Sequence, residues 1–243
     1  ESGRSEAENK AYPRSALGSR AARLHQMGID ELLFILGTSG GRLPVSVTRK
    51  EAKRQRILNA AVVEIARHGY FGTTVSTIAG RAGVADGTIY LYFKSKEAIL
   101  VAIFERAMQR FYDAAQPIVA RAGAPAEEKL RRLVGLHLSL LGEDRDLAVI
   151  FQVEFRHTLH ILELLSRSGM RNYLGLIAQV IEQGTREGAF RSDVDPLFAA
   201  KAVFGVLDEM ATDWVLSRRN VRLAARDEAV SALLLGGLRA SPS

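Results

Sequence analysis

Hydroxyl, phenol and ammonium side chains are concentrated near the middle of the chain, in residues 73–96. Within this stretch Thr88, Tyr90, Tyr92 and Lys94 follow one another at short intervals. Such groups donate and accept hydrogen bonds, as contacts with base edges and phosphate oxygens require. A short helix with small and hydroxylated residues at its start suits the major groove of DNA.

Two short helices joined by a tight turn are predicted to position these side chains. The apolar face of the first helix carries Val75, Ile78, Ala79 and Ala82 at helical spacing. Thr73 or Thr74 stands at its N-cap position, and Gly83 follows its last periodic residue, where a left-handed C-cap is favoured. Asp86 is predicted to cap the second helix. The inner face of that second helix carries Ile89 and Phe93.

The net positive charge of the chain lies in the same region. Formal net charge is +6, and residues 48–96 hold nine Lys or Arg against three acidic residues. The remainder of the chain holds 24 basic and 24 acidic residues and is therefore neutral. A basic patch limited to one domain is the pattern expected of phosphate binding.

Four motifs in this region resemble the DNA-binding domain of TetR-family transcriptional regulators. They are Ile-Leu-Asn-Ala-Ala (57–61), Gly-Tyr-Phe-Gly-Thr-Thr-Val (69–75), Ile-Ala-Gly-Arg-Ala-Gly-Val (78–84) and Gly-Thr-Ile-Tyr-Leu-Tyr-Phe-Lys-Ser-Lys-Glu (87–97). The resemblance implies a homodimer that binds a palindromic operator in double-stranded DNA. The second helix of the motif of each subunit, the recognition helix, is then placed in one of two adjacent major grooves. The DNA-binding residues that it implies are Arg49, Thr74, Gly87, Thr88, Tyr90, Tyr92 and Lys96.

The rest of the chain is predicted to be helical, which makes the fold all-α. Expected helices span 48–68, 96–122, 126–141, 146–156, 159–187, 196–216 and 222–238. We expect a partly disordered N-terminal extension (1–47), a three-helix DNA-binding domain (48–96) and a helical ligand-binding and dimerisation domain (97–243). The extension is interpreted as non-essential rather than as an arm that touches DNA or a partner. The absence of cysteine and of long apolar runs is compatible with a cytoplasmic protein.

Three motifs in the second half resemble the regulatory domain of FadR-type TetR repressors. They are Phe-Gln-Val-Glu-Phe-Arg (151–156), Gly-Ala-Phe-Arg-Ser-Asp (188–193) and Val-Phe-Gly-Val-Leu-Asp-Glu-Met-Ala-Thr-Asp-Trp-Val-Leu (203–216). The resemblance implies control of fatty-acid degradation genes and release from DNA by long-chain acyl-CoA as effector, with no cofactor. The candidate ligand-binding residues are Phe104, Arg106, Phe111, Phe151, Phe155, Phe204, Asp208, Met210 and Trp214. Aromatic residues at helical spacing also suit an ordinary core, and Asp208 could pair with a pocket arginine or lie at a dimer edge.

Other interpretations are weaker. Glu154, His157, His160 and Glu163 fall at steps of three, but a di-iron bundle site needs two such clusters on separate helices. No hydrolase elbow, P-loop or dinucleotide fingerprint is present, so the chain is not predicted to be an enzyme. A TetR-type repressor that senses another hydrophobic molecule or a drug remains the alternative. Dimerisation is predicted through two helices of each chain: the helix from Pro196, with Val203, Leu207, Met210 and Trp214 at seam spacing, and the last helix, with Leu-Leu-Leu at 233–235. The alternative is that these residues form intrachain core.

Overall fold

The computed structural model describes residues 48–154, 169–217 and 221–240. The helices in these ranges are α1 Arg49–Gly72, α2 Val75–Ala82, α3 Asp86–Tyr90, α4 Lys96–Ala120, α5 Ala126–Gly142, α6 Arg145–Val149, α7 Gly169–Arg186, α8 Pro196–Leu216 and α9 Asp227–Leu238. A π turn, Ile150–Glu154, continues α6, and a 3₁₀ turn, Leu223–Arg226, precedes α9. The β-type pairing in the described ranges is one isolated bridge between Phe190 and Arg239. The predicted all-α class is confirmed.

Local sequence determines where α1 ends and α2 begins. Gly69 interrupts the α-helical backbone near the end of α1 with a φ of 73° and a ψ of 161°, a conformation that glycine adopts without a Cβ clash. Of the two predicted caps, Thr74 is the N-cap of α2, and its hydroxyl accepts a hydrogen bond from the amide of Thr77 at 3.1 Å. Thr73 is buried instead, and its hydroxyl donates to the carbonyls of Glu64 and Gly69.

The turn between α2 and α3 follows the predicted C-cap but not the predicted N-cap. Gly83 has a φ of 63° and a ψ of 44°, so the left-handed conformation expected there is confirmed. The N-cap of α3 is Ala85, which makes no side-chain cap, so the assignment of Asp86 as the cap was wrong. Asp86 is the first helical residue, and its carboxylate accepts a hydrogen bond from the Ser76 hydroxyl across the turn. This contact still ties α2 to α3.

One continuous hydrophobic core joins α1–α3 to the following helices. Its members are drawn from the apolar face of every long helix and include Ile57, Leu58, Ile65, Ile78, Ile89, Phe93, Ile99, Leu100 and Ile103 around α1–α4. Helix α4 packs against α1 on one side and against α5 and α7 on the other. Since fully burying an aliphatic side chain contributes about 1.5–3 kcal/mol, this shared core fixes the orientation of α1–α3 on α4.

The second half is a bundle in which α7 packs against α4, α5 and α8, and α9 packs against α5. Helix α8 has the predicted bounds, with Asp195 as N-cap and Pro196 in the first turn. Val203, Leu207 and Trp214 are buried inside this chain, so they form intrachain core rather than an exposed seam. No helix in the described ranges is long and apolar enough to cross a membrane.

Candidate DNA-binding and effector sites

Helix α3 presents a mixed polar and apolar surface outward. Gly87 and Tyr90 are exposed, Thr88 and Tyr92 are half-buried, and a Cβ placed on Gly87 would meet no heavy atom within 4 Å. The open side of Gly87 therefore allows another molecule to approach the backbone closely. Because Ile89 of α3 and Phe93, three residues after its end, are both buried in the core, they fix the orientation of this segment.

Two large, exposed apolar residues in the DNA-binding domain were not identified from the sequence. Leu91, the C-cap of α3, is 79% exposed, and Phe71, at the end of α1, is 77% exposed. An exposed apolar side chain beside hydroxyl groups suits contact with thymine methyl groups in the major groove. The signal available in the sequence was that neither residue continues the apolar spacing of its helix.

Arg49 and Thr74, which are predicted to contact the phosphate backbone of DNA, are both exposed. Arg49 is the first residue of α1, and Thr74 caps α2. The first amides of α2 therefore face the same solvent-accessible region as the Thr74 hydroxyl. Helix N-termini and hydroxyl groups are common phosphate contacts, so this arrangement can position the protein on a duplex.

Lys96 is held inside the protein more than the sequence suggested. Its ammonium donates to the carbonyl oxygens of Tyr70 at 2.7 Å and Thr73 at 2.8 Å, and it lies 4.4 Å from the centre of the Tyr70 ring. Partial burial lowers the pKa of Lys96 below its usual value. Lys96 thus ties the start of α4 to the junction of α1 and α2, and its contact with phosphate stays a prediction.

Helix α2 is also fixed to α1 by a charged pair. Glu64 is buried on α1, and its carboxylate accepts a hydrogen bond from the Arg81 guanidinium. This hydrogen bond, together with the charge of Arg81, holds the pKa of Glu64 below its usual range. Arg56 adds a hydrogen bond of 3.0 Å to the carbonyl oxygen of Ala82. Arg56, Arg81 and Glu64 therefore stabilise the packing of α2 on α1. The number of charged residues in the sequence could not show this role.

A narrow, mostly apolar cavity lies in the second half, bounded by α4, α5, the π turn, α7 and α8. Its lining comprises Met108, Phe111, His137, Leu141, Phe151, Gln152, Met170, Tyr173, Phe204 and Asp208. The space open to the centre of a water molecule is about 20 Å³, which suffices for roughly one water molecule. An apolar cavity with a few convergent polar groups is the usual form of a small-molecule site.

Four of the predicted ligand-binding residues, Phe111, Phe151, Phe204 and Asp208, line this cavity. Phe104 is not a lining residue, but its ring stacks on the lining residue Phe151 with 5.4 Å between centroids. The structure therefore brings together aromatic residues from α4, the π turn and α8, as the sequence predicted.

Three other predicted ligand-binding residues, Arg106, Met210 and Trp214, are not among the residues that line the cavity. Arg106 donates to the side-chain oxygens of Gln55 at 3.0 Å and Asn59 at 2.7 Å, so it joins α4 to α1. Met210 accepts a contact from Arg226, and the Trp214 indole donates to the carbonyl of Val221 at 2.7 Å. Phe155 lies outside the described residues, as do three of the four residues proposed for a metal cluster: His157, His160 and Glu163.

The polar end of the cavity contains a buried pair that sequence reasoning missed. His137 Nδ1 and the Tyr173 hydroxyl oxygen are 3.0 Å apart, and both residues are buried. Burial lowers the pKa of His137 to about 4 and raises the pKa of Tyr173. Both side chains are consequently neutral at pH 7, and together they give the apolar cavity a hydrogen-bonding wall.

Asp208 joins a second polar group at the cavity edge. The Gln152 amide nitrogen donates to the Asp208 carboxylate at 3.0 Å, and the Thr212 hydroxyl donates to the Gln152 amide oxygen at 2.7 Å. Thr212 also contacts the Asp208 carbonyl at 3.0 Å. Asp208 therefore lies at the cavity with Gln152 as one hydrogen-bond partner, and the two alternatives raised for it, a pocket arginine or a dimer edge, both stay predictions.

Two family models match consecutive parts of the chain. Residues 57–103 match the model of the bacterial regulatory proteins of the tetR family, and residues 104–237 match the YsiA-like protein C-terminal region. The chain is 36% identical over 190 residues to the fatty acid metabolism regulator protein of Bacillus subtilis (78% of this chain and 97% of the relative). The HTH-type transcriptional repressor KstR2 of Rhodococcus jostii is more distant, at 29% identity over 60% of this chain and 72% of the relative.

Solved structures give the same result. The fatty acid degradation regulator FadR of Bacillus halodurans is 41% identical, with a TM-score of 0.70 and coverage of 76% of this chain and 99% of that one. FadR of Bacillus subtilis, solved in complex with stearoyl-CoA, is 36% identical, with a TM-score of 0.71 and the same coverage. On both domains, this chain belongs to the TetR family of bacterial transcriptional regulators, and its relatives include the fatty acid metabolism regulators.

Proposed function

We propose that the protein is a repressor of fatty-acid metabolism genes that binds a palindromic operator as a homodimer and is released by long-chain acyl-CoA. The observation that carries this proposal is the aromatic cavity between α4, α5, α7 and α8. It occurs in a chain that is similar over nearly the full length of a relative solved with stearoyl-CoA.

On DNA, the exposed side of α3 enters the major groove. Thr88 and Tyr90 contact bases or nearby phosphates, with Gly87 allowing close approach of the backbone. Arg49, Thr74 and Tyr92 contact the phosphate backbone, and the excess positive charge of residues 48–96 steers the protein to DNA. Lys96 supports this surface by holding α4 to the end of α1.

Dimerisation uses the outer surfaces of α8 and α9, because these expose apolar and small side chains. Phe198 on α8 and Leu233 on α9 are 67% and 69% exposed. Ala202 and Gly205 on α8, and Gly236 on α9, are also exposed near them in sequence. A face of this composition permits close packing of helix pairs from two subunits into a four-helix interface.

The acyl chain of the effector occupies the cavity. Each methylene removed from water contributes about 0.8 kcal/mol. In the present cavity the centre of a water molecule can occupy only about 20 Å³. Burial of a long acyl chain therefore supplies the free energy to widen the cavity. The neutral His137–Tyr173 pair and Asp208 supply the few polar contacts that orient the ligand. No cofactor is needed for this function.

Release from DNA requires the ligand to favour a conformation that binds the operator poorly. The cavity lining includes Met108 and Phe111 of α4, whose first residue, Lys96, is bonded to the DNA-binding domain. A shift of α4 therefore changes the distance between the α3 helices of the two subunits. A coupling free energy of about 1–3 kcal/mol is sufficient for roughly 5- to 150-fold derepression.

The test is binding of the purified protein to DNA from its own upstream region, followed by footprinting. A protected palindrome with two half-sites about 34–36 Å apart is expected. Phe111→Trp, which fills the cavity, should retain operator binding and lose the response to stearoyl-CoA, whereas the neighbouring control Tyr112→Trp should retain both. A response that survives in Phe111→Trp would place the effector elsewhere. If acyl-CoA does not change the operator affinity of the unmodified protein, another hydrophobic effector is favoured.

A further inference from the structure

Residues 145–154, which comprise α6 and the π turn, form a segment that we name the strap. Leu147, Ala148 and Ile150 of the strap are buried, and both α6 and the π turn pack against α1 of the DNA-binding domain. The ring of Phe151 in the strap stacks on Phe104 of α4. The strap therefore contacts directly both elements that position α2 and α3.

The strap is held to α8 at two points. At its start, the Arg145 guanidinium donates to the carbonyls of Val215 at 2.9 Å and Ser217 at 3.2 Å and lies 4.8 Å from the Trp214 ring centre. Near its end, Gln152 donates to Asp208 and accepts from Thr212. We name this second group, Gln152 with Asp208 and Thr212, the latch.

The latch is also part of the cavity wall. Phe151, Gln152 and Asp208 line the cavity, whereas Thr212 is not among its lining residues. Because the space open to the centre of a water molecule is about 20 Å³, a long acyl chain can enter only if part of the wall moves. The wall at this position is a π turn, a local departure from α-helical hydrogen bonding that often marks functional sites.

We propose that Gln152 is a positioning residue: its bonds to Asp208 and Thr212 latch the strap in the arrangement that supports operator binding, and the effector opens the latch. This rests on the proposed function above. Opening the latch frees the end of the strap to move away from α8 while Arg145 still holds its start. The apolar face of the strap carries that displacement to α1. A conformational change at the cavity can thus reach the DNA-binding domain through the strap as well as through α4.

Thr212→Val is the variant of choice, because valine keeps the shape of threonine and removes the hydroxyl that bonds Gln152. Thr212 does not line the cavity, so the change leaves the ligand-contacting surface intact. Thr212→Ser, which restores the hydroxyl, is the rescue. Gln179→Ala on the exposed side of α7 is the control for an unrelated substitution in the same domain.

Loss of the Thr212–Gln152 hydrogen bond should shift the equilibrium from the operator-binding to the released arrangement by about 2- to 10-fold, the range that one neutral hydrogen bond covers, and so weaken operator affinity without ligand. Because the two affinities share this one shift, the part of the factor that does not weaken operator binding should appear as tighter binding of stearoyl-CoA to the DNA-free variant. Thr212→Ser and Gln179→Ala should behave as the unmodified protein. The affinities for operator and for stearoyl-CoA are measured by fluorescence titration. The melting temperature of each variant is measured separately by thermal unfolding.

Two results would overturn the proposal. If Thr212→Val lowers the melting temperature but leaves both affinities unchanged, the latch is only structural. If stearoyl-CoA binds more weakly and operator affinity is unchanged, Thr212 supports a ligand contact and not the strap.

Hydrogen exchange tests the latch without any effector. Thr212→Val should speed amide exchange in 145–154 and in α1 while leaving α9 unchanged. Unchanged exchange in 145–154 and α1 would reject the latch even if the protein binds acyl-CoA. If acyl-CoA fails to release the unmodified protein from DNA while exchange rises as expected, the proposed effector is wrong and the latch stands.

Discussion

Acid should destabilise this protein through His137 in particular. The imidazole is buried beside Tyr173, and burial lowers its pKa from 6.5 to about 4. In the unfolded chain the same group binds a proton below about pH 6.5, whereas the folded protein binds it only below about pH 4. The unfolded state therefore gains protons first, and the free energy of unfolding falls as the pH decreases from 6.5 to 4.

The size of the loss follows from the gap between the two pKa values. With about 1.36 kcal/mol for each pH unit, the gap between 6.5 and about 4 corresponds to roughly 3 kcal/mol when both states are protonated. At pH 5, where the folded protein is still neutral at His137, the loss is about 2 kcal/mol. This is a large part of the 5–15 kcal/mol that stabilises a typical domain.

Urea denaturation at pH 7.5, 6.0 and 5.0 measures this effect in the unmodified protein, in His137→Gln and in His68→Gln. His68 is on the surface, so its variant controls for loss of a histidine that is not buried. Between pH 7.5 and 5.0, His137→Gln should lose about 2 kcal/mol less stability than the unmodified protein, and His68→Gln should follow the unmodified protein. Parallel curves for the unmodified protein and His137→Gln would refute the assignment.

Three further substitutions test packing, DNA reading and assembly. Gly184→Ala should lower stability by about 1–3 kcal/mol, because the added methyl would overlap the ring of Phe190, and thermal unfolding measures the loss. Tyr92→Phe should weaken binding to all DNA sequences alike, whereas Thr88→Ala should also relax specificity; equal losses on operator and random DNA for both would contradict the assigned roles. Leu233→Glu should dissociate the dimer in sedimentation experiments, and an intact dimer would exclude α9 from the interface.

The DNA-binding domain was predictable because local signals define it. The position of α2 follows from the Thr74 cap and the left-handed Gly83, both of which depend on neighbouring residues only. Helix α8 begins at Pro196 as expected because Asp195 and Pro196 favour the start of a helix wherever they occur. Such features can be identified without knowing what each helix packs against.

The polar partners were not predictable, because they depend on packing between distant segments. His137 and Tyr173 are 36 residues apart in sequence, and helical spacing does not show that they share one cavity wall. Likewise, the position of Arg106 on α4 did not reveal that it bonds to α1 rather than lining the cavity. Asp86 was assigned as a cap from its residue type, but the turn places it one residue inside α3, where Ser76 becomes its partner.

The most direct test of the central claim is equilibrium binding of the unmodified protein to its own upstream DNA during titration with stearoyl-CoA, palmitoyl-CoA and free CoA. The acyl-CoA esters should release the DNA and free CoA should not, because the acyl chain is the part that the aromatic cavity binds. Equal operator affinity at saturating acyl-CoA and in its absence would contradict the claim.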